Sequence, residues 1–542
     1  MSPSRRVLLS ALSIVSAFSL SAATVASGQT MDDTRRALGL APDPIARSPR
    51  LLGMGGLSLT VDDPHNRINL WDFAGFPTGV VDADTNSVIE LRPATGSASS
   101  VHDLSGVDRG RERQDLALRE NRLGFEIWRR SGTTTFGAVG DLDGLRHDEP
   151  FSDDSEHRRR LSKPNIVPLV AGRLPYTTSG NSRFALRVHY RTETVSEKYL
   201  TIIDNGAGQY LDLHGETLNP PDFFTPDETR TSSLGAGLAI SHRLTSWLTV
   251  GVGVDEIANR IRGANHGVKY DSQIHEDRDV TSGQATLIAR IGPHFEWGAD
   301  GRGWSSASEQ TWAFSLSAGP AANAVDGRGK LDEREEKGSS LNTRARLTLG
   351  PLQFGAAFGS FDRKVTLTPP DPNDPTSLNQ FLRDVYARPS GDTLNLPDSV
   401  SYNQITTHSM MAGGGVGLRL GTHARWAAEY HVVRDRDEMF VTGGTGPERH
   451  AWDVRSGLEL QLNPVLMGRV GYQYSWLDRD TETQQNESKG NSMTLGLGLR
   501  PERASWSFDA GYLISWYQAD YGSPWKPRGS RQLLSSQVRW DF

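Results

Sequence analysis

The last eleven residues, 532–542, constrain the fold of this chain more than any other stretch. Successive side chains of a β-strand point to opposite sides, so every second residue shares a face. One face here is mostly apolar and ends on an aromatic residue; its residues are Leu534, Ser536, Val538, Trp540 and Phe542. The other face is polar and consists of Ser535, Gln537, Arg539 and Asp541. Such a strand suits the end of a transmembrane β-barrel, where it meets lipid outside and water inside.

The same two-faced pattern recurs along the chain. Residues 506–516 alternate between large apolar and small or polar side chains, and about eleven residues let a tilted strand cross a bilayer. Similar segments are 184–191, 234–240, 248–254, 285–291, 312–318, 352–358, 426–432, 454–462 and 466–476. We count about 18 candidate strands, the weaker ones before residue 230, and 14 or 16 are also compatible with the pattern. A soluble sandwich or propeller would instead carry mainly branched aliphatic residues on its apolar face.

Connections between these segments alternate between short and long. Short turns fall at 243–246, 350–351, 421–423, 462–464 and 501–504, and longer polar links at 193–229, 261–280, 320–340, 364–403, 436–450, 478–490 and 519–530. Outer-membrane barrels have short periplasmic turns and longer external loops. Counting back from Phe542 therefore predicts that the carboxyl terminus lies on the periplasmic side.

The amino terminus and the composition indicate export. Arg5 and Arg6 precede an apolar run over 7–20 and then small residues, which predicts a signal peptide at 1–28 rather than an uncleaved anchor. The chain has no cysteine, which excludes thiol chemistry, and its net charge of −7 without basic clusters opposes nucleic-acid binding. Only 36% of its residues are hydrophobic and 56 are glycines, as suits barrel strands with a water-facing side.

A glycine-rich motif follows the predicted signal peptide. It comprises Gly53, Met54, Gly55 and Gly56, then Val61, Asp62 and Asp63, then Ala74 and Gly75. In order and spacing it resembles the outer-membrane long-chain fatty-acid and hydrocarbon transporters and their secretion-associated barrel relatives. Leu57 departs from that pattern, since a small residue is usual there, and so do residues 70–73 where Asn-Pro is expected.

The resemblance implies an arrangement of the whole chain. Residues 29–85 would plug the lumen of a barrel over residues 86–542, and the family's strand number is 14. Trp540 and the terminal Phe542 resemble the signal read by the barrel-assembly machinery. We therefore expect an all-β fold, an antiparallel transmembrane β-barrel of the bacterial outer membrane with about 14–18 strands and an amino-terminal plug.

Charged residues on the polar strand faces are the candidate site. We select Arg187, His189, Arg425, His431, Arg455 and Arg469 as lumen-facing residues able to meet an anionic head group. The alternative is that the inward charges pair across neighbouring strands and only fill a polar lumen; besides those six, they are Arg290, Arg344, Arg346, Glu429, Asp453, Glu459, Asp509 and Arg539. A Ser-His hydrolase is disfavoured because the sequence places no serine and acidic partner beside either histidine.

The sequence therefore predicts a monomeric outer-membrane channel that passes hydrophobic or amphipathic small molecules, fatty-acid-like in chemistry, by diffusion through a plugged barrel. It predicts no enzymatic activity, cofactor, metal or nucleic-acid partner. The expected partners are outer-membrane lipid, the barrel-assembly machinery and a hydrophobic small-molecule ligand. Two alternatives stay open, a structural or secretion-associated barrel that binds a protein partner and a general porin.

Overall fold

One short helix and twenty β-strands make up the described part of the chain in the computed structural model, which covers residues 48–61, 63, 87–103, 113–151, 155–173, 181–197, 203–204, 210–211, 228–266, 270–316, 325–368, 404–439, 445–480, 485–502, 504–520 and 528–542. The helix, α1, spans Pro49–Gly53. The strands are β1 Ser87–Asp103, β2 Arg113–Ser131, β3 Thr134–Phe151, β4 Ser155–Arg173, β5 Ser182–Glu197, β6 Ile203–Asp204, β7 Tyr210–Leu211, β8 Glu228–Arg243, β9 Leu248–His266, β10 Tyr270–Ile291, β11 Phe295–Leu316, β12 Val325–Leu349, β13 Leu352–Thr368, β14 Gln404–Leu420, β15 Ala424–Met439, β16 Thr445–Gln461, β17 Leu466–Asp480, β18 Gln485–Leu499, β19 Trp506–Asp520 and β20 Arg528–Asp541.

Eighteen of these strands form one closed antiparallel barrel. Each pairs with its neighbour in the chain, except that β5 pairs with β8 across the small β6–β7 ladder. The ring closes because β1 pairs with β2 on one side and with β20 on the other, where Val88 lies opposite Asp541 and Val101 opposite Arg528. The strand count made from the alternating pattern is confirmed, whereas the 14 strands implied by the family resemblance are wrong for this chain.

The two faces of the barrel wall differ as the alternation predicts. On β5, Leu186 is 51% exposed while its neighbour Arg187 is only 6% exposed. An aromatic cluster lies on the outer face of β15–β17, with 5.3 Å between the ring centroids of Trp452 and Tyr474 and 6.3 Å between those of Trp452 and Tyr430. The outer surface is therefore an apolar band with aromatic residues, as a lipid-facing barrel wall requires.

The five predicted short turns connect the strands at one end of the barrel. At this end the amide of Phe542 donates to the carbonyl oxygen of Ser87 at 3.0 Å, so the two ends of the barrel chain meet there. We call this the turn end. Tight turns there place Gly350 and Gly421 at φ of 58° and 69°, a backbone region that glycine enters without strain.

The predicted long links are shorter than expected, because strands continue into them. β10 and β12 contain 22 and 25 residues and occupy much of the predicted links 261–280 and 320–340. Strand also covers parts of 436–450 and 478–490. These extensions are mostly polar and carry no clear alternation, yet their backbones pair with neighbours, with one register shift between Gln310 and Thr311 in the β11–β12 pairing. A strand needs only about 9–11 residues to cross a bilayer, so these ends project beyond it.

A stretch of chain before β1 lies against the inner face of the wall. It consists of α1 and the extended residues that follow it, up to Asp63, and it packs on the polar faces of strands from β13 to β19. No helix within the described residues is long and apolar enough to cross a membrane.

Candidate site inside the barrel

The stretch inside the barrel forms a loop whose two ends meet, and we call residues 48–61 and 63 the lumen loop. Ser48 caps α1, since its Oγ accepts from the amide of Leu51 at 3.2 Å and Pro49 begins the helix. The same Ser48 hydroxyl donates to Asp63 Oδ2 at 3.1 Å and so joins the two ends. A compact loop with adjacent ends is a typical arrangement for a functional segment.

Two consecutive glycines turn the lumen loop after α1. Gly55 and Gly56 have φ of 76° and 77°, a left-handed conformation that side chains disfavour. The amide of Gly55 donates to Thr494 Oγ1 at 2.9 Å, and this hydroxyl donates to the Gly53 carbonyl oxygen at 3.1 Å. The glycine motif therefore sets the loop's sharp bend and its contact with β18.

The lumen loop buries its apolar side chains against the wall. Leu51, Met54, Leu57 and Val61 form a cluster with Ala427 of β15, and each is inaccessible to solvent. Complete burial of such a side chain contributes about 1.5–3 kcal/mol. The loop is thus seated by an apolar patch as well as by the polar contacts around it.

Glu429 of β15 holds the second half of the lumen loop. Its carboxylate accepts from the amides of Ser58, Leu59 and Thr60 at 2.8, 2.7 and 2.8 Å, and also from the Thr60 hydroxyl at 2.8 Å. His431 Nε2 lies 3.1 Å from the same carboxylate. Glu429 is 3% exposed, so these charge-assisted hydrogen bonds are shielded from water.

Arg50 anchors the first half of the lumen loop. Its guanidinium donates to both oxygens of Glu459 at 2.8 and 2.7 Å, in a bidentate pair. Burial alone lowers the pKa of Arg50, but its hydrogen bond and ion pair with Glu459 raise that pKa above its ordinary value. Glu459 also accepts from Arg469 at 2.7 Å, and Arg469 pairs with Asp509 at 2.6 Å, so the anchor continues across β16, β17 and β19.

Two more arginines bind carbonyl oxygens of the lumen loop. Arg455 Nη1 donates to the Gly56 carbonyl oxygen at 2.5 Å, while its other nitrogens hold Asp453 at 2.9 and 2.8 Å. Arg425 Nη2 donates to the Thr60 carbonyl oxygen at 2.7 Å and also to Gln353. Both loop donors and loop acceptors thus find charged partners on the wall, which satisfies polar backbone groups that would be costly to bury alone.

Inward-facing glycines let the loop backbone approach the strands. A Cβ at Gly355 would lie 2.6 Å from the Leu59 carbonyl oxygen, and one at Gly496 would lie 3.0 Å from Gly53 Cα. Side chains at three further positions would overlap the loop backbone. We call this set the glycine track: Gly355, Gly457, Gly471, Gly496 and Gly511. It is a groove of bare backbone into which the lumen loop fits.

Four of the six predicted ligand residues contact the lumen loop or the two glutamates that hold it, Glu429 and Glu459. Arg425 and Arg455 bind the loop directly, and His431 and Arg469 contact Glu429 and Glu459. Arg187 lies elsewhere, paired with Asp255 of β9. The backbone of His189 lies opposite Gly235 in β5–β8, and its side chain falls outside the described residues. Their role in ligand binding stays a prediction.

The structure describes five of the eight predicted motif residues and both predicted assembly-signal residues, Trp540 and Phe542. Gly53, Met54, Gly55, Gly56 and Asp63 belong to the lumen loop, whereas Asp62, Ala74 and Gly75 lie outside the described residues, as does the predicted signal peptide. Trp540 lies opposite Trp506 and Ile89 at the β20 seam, and Phe542 is exposed. Recognition of these two by assembly machinery stays a prediction.

Sequence reasoning missed the importance of Glu429 and Glu459. Both appeared among the inward charges, but they hold loop residues about 370–409 positions away in the chain. The spacing of the glycine track was the available signal, because glycines recur at inward positions on neighbouring strands. Among the described residues, no group of His, Asp and Glu is arranged to hold a metal ion.

A pocket of about 630 Å³ opens beneath the lumen loop at the turn end. Arg50 and Asp63 come from the two ends of the loop, and the rest of the lining comes from strand ends and the β18–β19 turn. We call it the basal pocket. It lies between the loop and the turn end of the barrel.

Comparisons with known proteins give structural likenesses only. No protein-family model matches the chain, and no curated protein matches it. Similar solved structures include the Pseudomonas putida toluene transporter TodX, with 11% identity, coverage of 91% of this chain and 97% of that one, and a TM-score of 0.35. A Pseudomonas aeruginosa FadL homologue has 10% identity, coverage of 91% and 98%, and a TM-score of 0.35. The ferric preacinetobactin receptor BauA of Acinetobacter baumannii has 9% identity, coverage of 84% and 80%, and a TM-score of 0.40. TodX and the FadL homologue belong to the group that the motif over residues 53–75 resembles.

Proposed function

We propose that this protein is an outer-membrane channel that passes hydrophobic or amphipathic small molecules of fatty-acid-like chemistry by diffusion. The lumen loop, buried and fixed to the inner wall, is the observation that carries this proposal. Barrels of 16–18 strands leave an aqueous channel when nothing fills them. An element seated inside an eighteen-stranded barrel therefore makes passage selective.

The wall chemistry supports an amphipathic anion as cargo. The inner face presents buried arginines, including Arg187, Arg455 and Arg469, and arginine pairs well with carboxylates. Each of these three is already paired with an acidic residue. A ligand would therefore have to displace that acidic residue or the lumen loop. Displacement of the loop by the ligand is consistent with diffusion that needs no cofactor or energy source.

Uptake by a deletion strain and binding by the purified barrel test this function together. We expect the strain to take up radiolabelled oleate more slowly than its parent, the full-length gene to restore the rate, and the purified protein to bind oleate. Glycerol uptake is the control and should not change. Normal oleate uptake in the deletion strain, together with no binding by the purified barrel, would sink the proposal.

A general porin is the second candidate, and the strand number and charged inner face favour it. Eighteen strands are typical of open porins, and many of the described strands carry charged residues on the inner face, among them Glu90, Asp255 and Glu276. A large, steady ion conductance of the wild-type protein in planar bilayers would decide for the porin. The transporter proposal expects the lumen loop to keep that conductance low.

A further inference from the structure

The basal pocket carries more positive than negative charge. Five arginines and three aspartates line it, and the arginines are Arg50, Arg419, Arg425, Arg500 and Arg539. They come from the lumen loop, from β14, β15 and β20, and from the residue after β18. Charges of one sign that converge on a concavity walled by protein raise the local concentration of the opposite charge.

The three aspartates already have cationic or hydroxyl partners. Asp63 accepts from Ser48 at 3.1 Å, and Asp509 is 2.6 Å from Arg469, which does not line the pocket. Asp541 accepts from Arg539 at 3.0 Å. Arg50 and Arg539 are themselves held by carboxylates, so the positive charge available to an anion is mainly that of Arg419 and Arg500.

Arg419 and Arg500 are the most accessible of the five arginines. Arg419 is exposed and the Arg500 side chain is 50% exposed, with Nη2 at 3.7 Å from Asp509. Arg50 is instead held by Glu459 and Arg425 by Thr60 and Gln353. A ligand entering the pocket would therefore meet Arg419 and Arg500 first.

The pocket also has an apolar side. Trp506 and Pro501 line it beside the arginines. A guanidinium binds a carboxylate through two parallel hydrogen bonds, and an aromatic ring offers surface to a hydrocarbon tail. Its volume of about 630 Å³ lies within the range of small-molecule sites.

We propose that the basal pocket binds the carboxylate head group of an amphipathic anion as it passes the turn end of the lumen. This inference rests on the proposed function and specifies one position on its route. Arg50 and Asp63 supply a wall from the lumen loop, so the site is complete only while the loop is seated. The head group would lie at Arg419 and Arg500, with its tail against Trp506.

Binding of octanoate and of the neutral octanamide, measured by titration calorimetry on the detergent-purified full-length protein, tests the inference. We expect the wild type to bind octanoate more tightly than octanamide. In the double variant Arg419→Gln/Arg500→Gln, octanoate binding should weaken about tenfold, since the charge-assisted hydrogen bonds to the carboxylate are lost. Octanamide binding should stay the same.

The control variant is Arg260→Gln on β9, whose side chain is 71% exposed and pairs with Asp277 away from the pocket. It should bind octanoate as the wild type does. Equal octanoate affinity in the double variant and the wild type would overturn the inference. So would inorganic phosphate binding as tightly as octanoate, because the pocket would then be a general anion site.

The outcomes separate this inference from the proposed function. If the deletion strain takes up oleate slowly but the double variant binds octanoate normally, the channel stands and the basal pocket assignment falls. If oleate uptake is normal without the protein, the proposed function falls whatever the pocket binds.

Discussion

Glu429 holds three consecutive backbone amides with a single carboxylate, a geometry that a neutral side chain cannot reproduce. Ser58, Leu59 and Thr60 all donate to it within 2.7–2.8 Å. Buried amides without an acceptor cost about 1–3 kcal/mol each. The seating of the second half of the lumen loop therefore depends on this residue.

The substitution Glu429→Gln tests that dependence with little change in shape. In glutamine an NH2 group replaces one of the two acceptor oxygens, and the negative charge is lost. We therefore expect the free energy of local opening of the loop to fall by about 1–3 kcal/mol. Hydrogen exchange at residues 58–60 should speed up by about 5- to 150-fold. Glu309→Gln, at an exposed ion pair with Lys330, is the control. Unchanged exchange at 58–60 would contradict the role given to Glu429.

Gly457→Ala should unseat the lumen loop by steric overlap. A Cβ at this position would overlap the Met54 carbonyl oxygen, whereas a Cβ at Gly301 would meet only the Ser340 carbonyl oxygen at 3.9 Å. Because the chain has no cysteine, Ser58→Cys provides a unique reporter in either background. We expect maleimide to label it slowly in the parent and in Gly301→Ala, and several times faster in Gly457→Ala. Equal rates in all three would show that the glycine track does not seat the loop.

At the scale of strands and turns, the closure between β1 and β20 decides whether the wall is a barrel. Ala94 lies opposite Ser535 in that seam, and the pairing runs from Val88 to Val101. An open sheet would leave the edges of β1 and β20 unpaired, which is costly in a lipid environment. The seam is therefore the element on which the topology rests.

A cysteine pair at Ala94 and Ser535 tests the seam directly. Directly opposed residues of paired strands lie about 4.5–5.5 Å apart, within reach of a disulfide. We expect oxidation to join the pair in nearly every folded molecule and to slow the heat-induced shift in electrophoretic mobility. The control pair, Ala94 with Ser530, lies five residues out of register and should not join. Cross-linking of the control but not of the designed pair would contradict this register.

The sequence pattern predicted the strands better than it predicted their ends or the site. Alternation arises from lipid and water on opposite faces, and it was clear at Leu186 and Arg187. Where β10 and β12 extend beyond the membrane, both faces are mostly polar and the alternation disappears. The contacts of Glu429 and Glu459 could not be predicted, because they join residues about 370–409 positions apart through the closure of the barrel.

At the scale of the whole molecule, a wide barrel holds a short loop by charge, apolar burial and close backbone contact. These three kinds of contact act on different parts of the lumen loop, namely Arg50, Leu57 and Leu59. Loss of one should loosen the loop, and removal of the loop should leave the barrel wall intact, since the strands pair with each other rather than with it.

The role of the lumen loop can be tested by single-channel conductance in planar bilayers. The comparison is between the wild type and a variant in which a short Gly-Ser linker replaces residues 49–61. Heat-modifiable mobility must first confirm that the variant is a folded barrel. We predict a small conductance for the wild type and a large, steady conductance for the variant, because the lumen loop occupies a barrel of porin size. Equal conductance of the two folded proteins would contradict it.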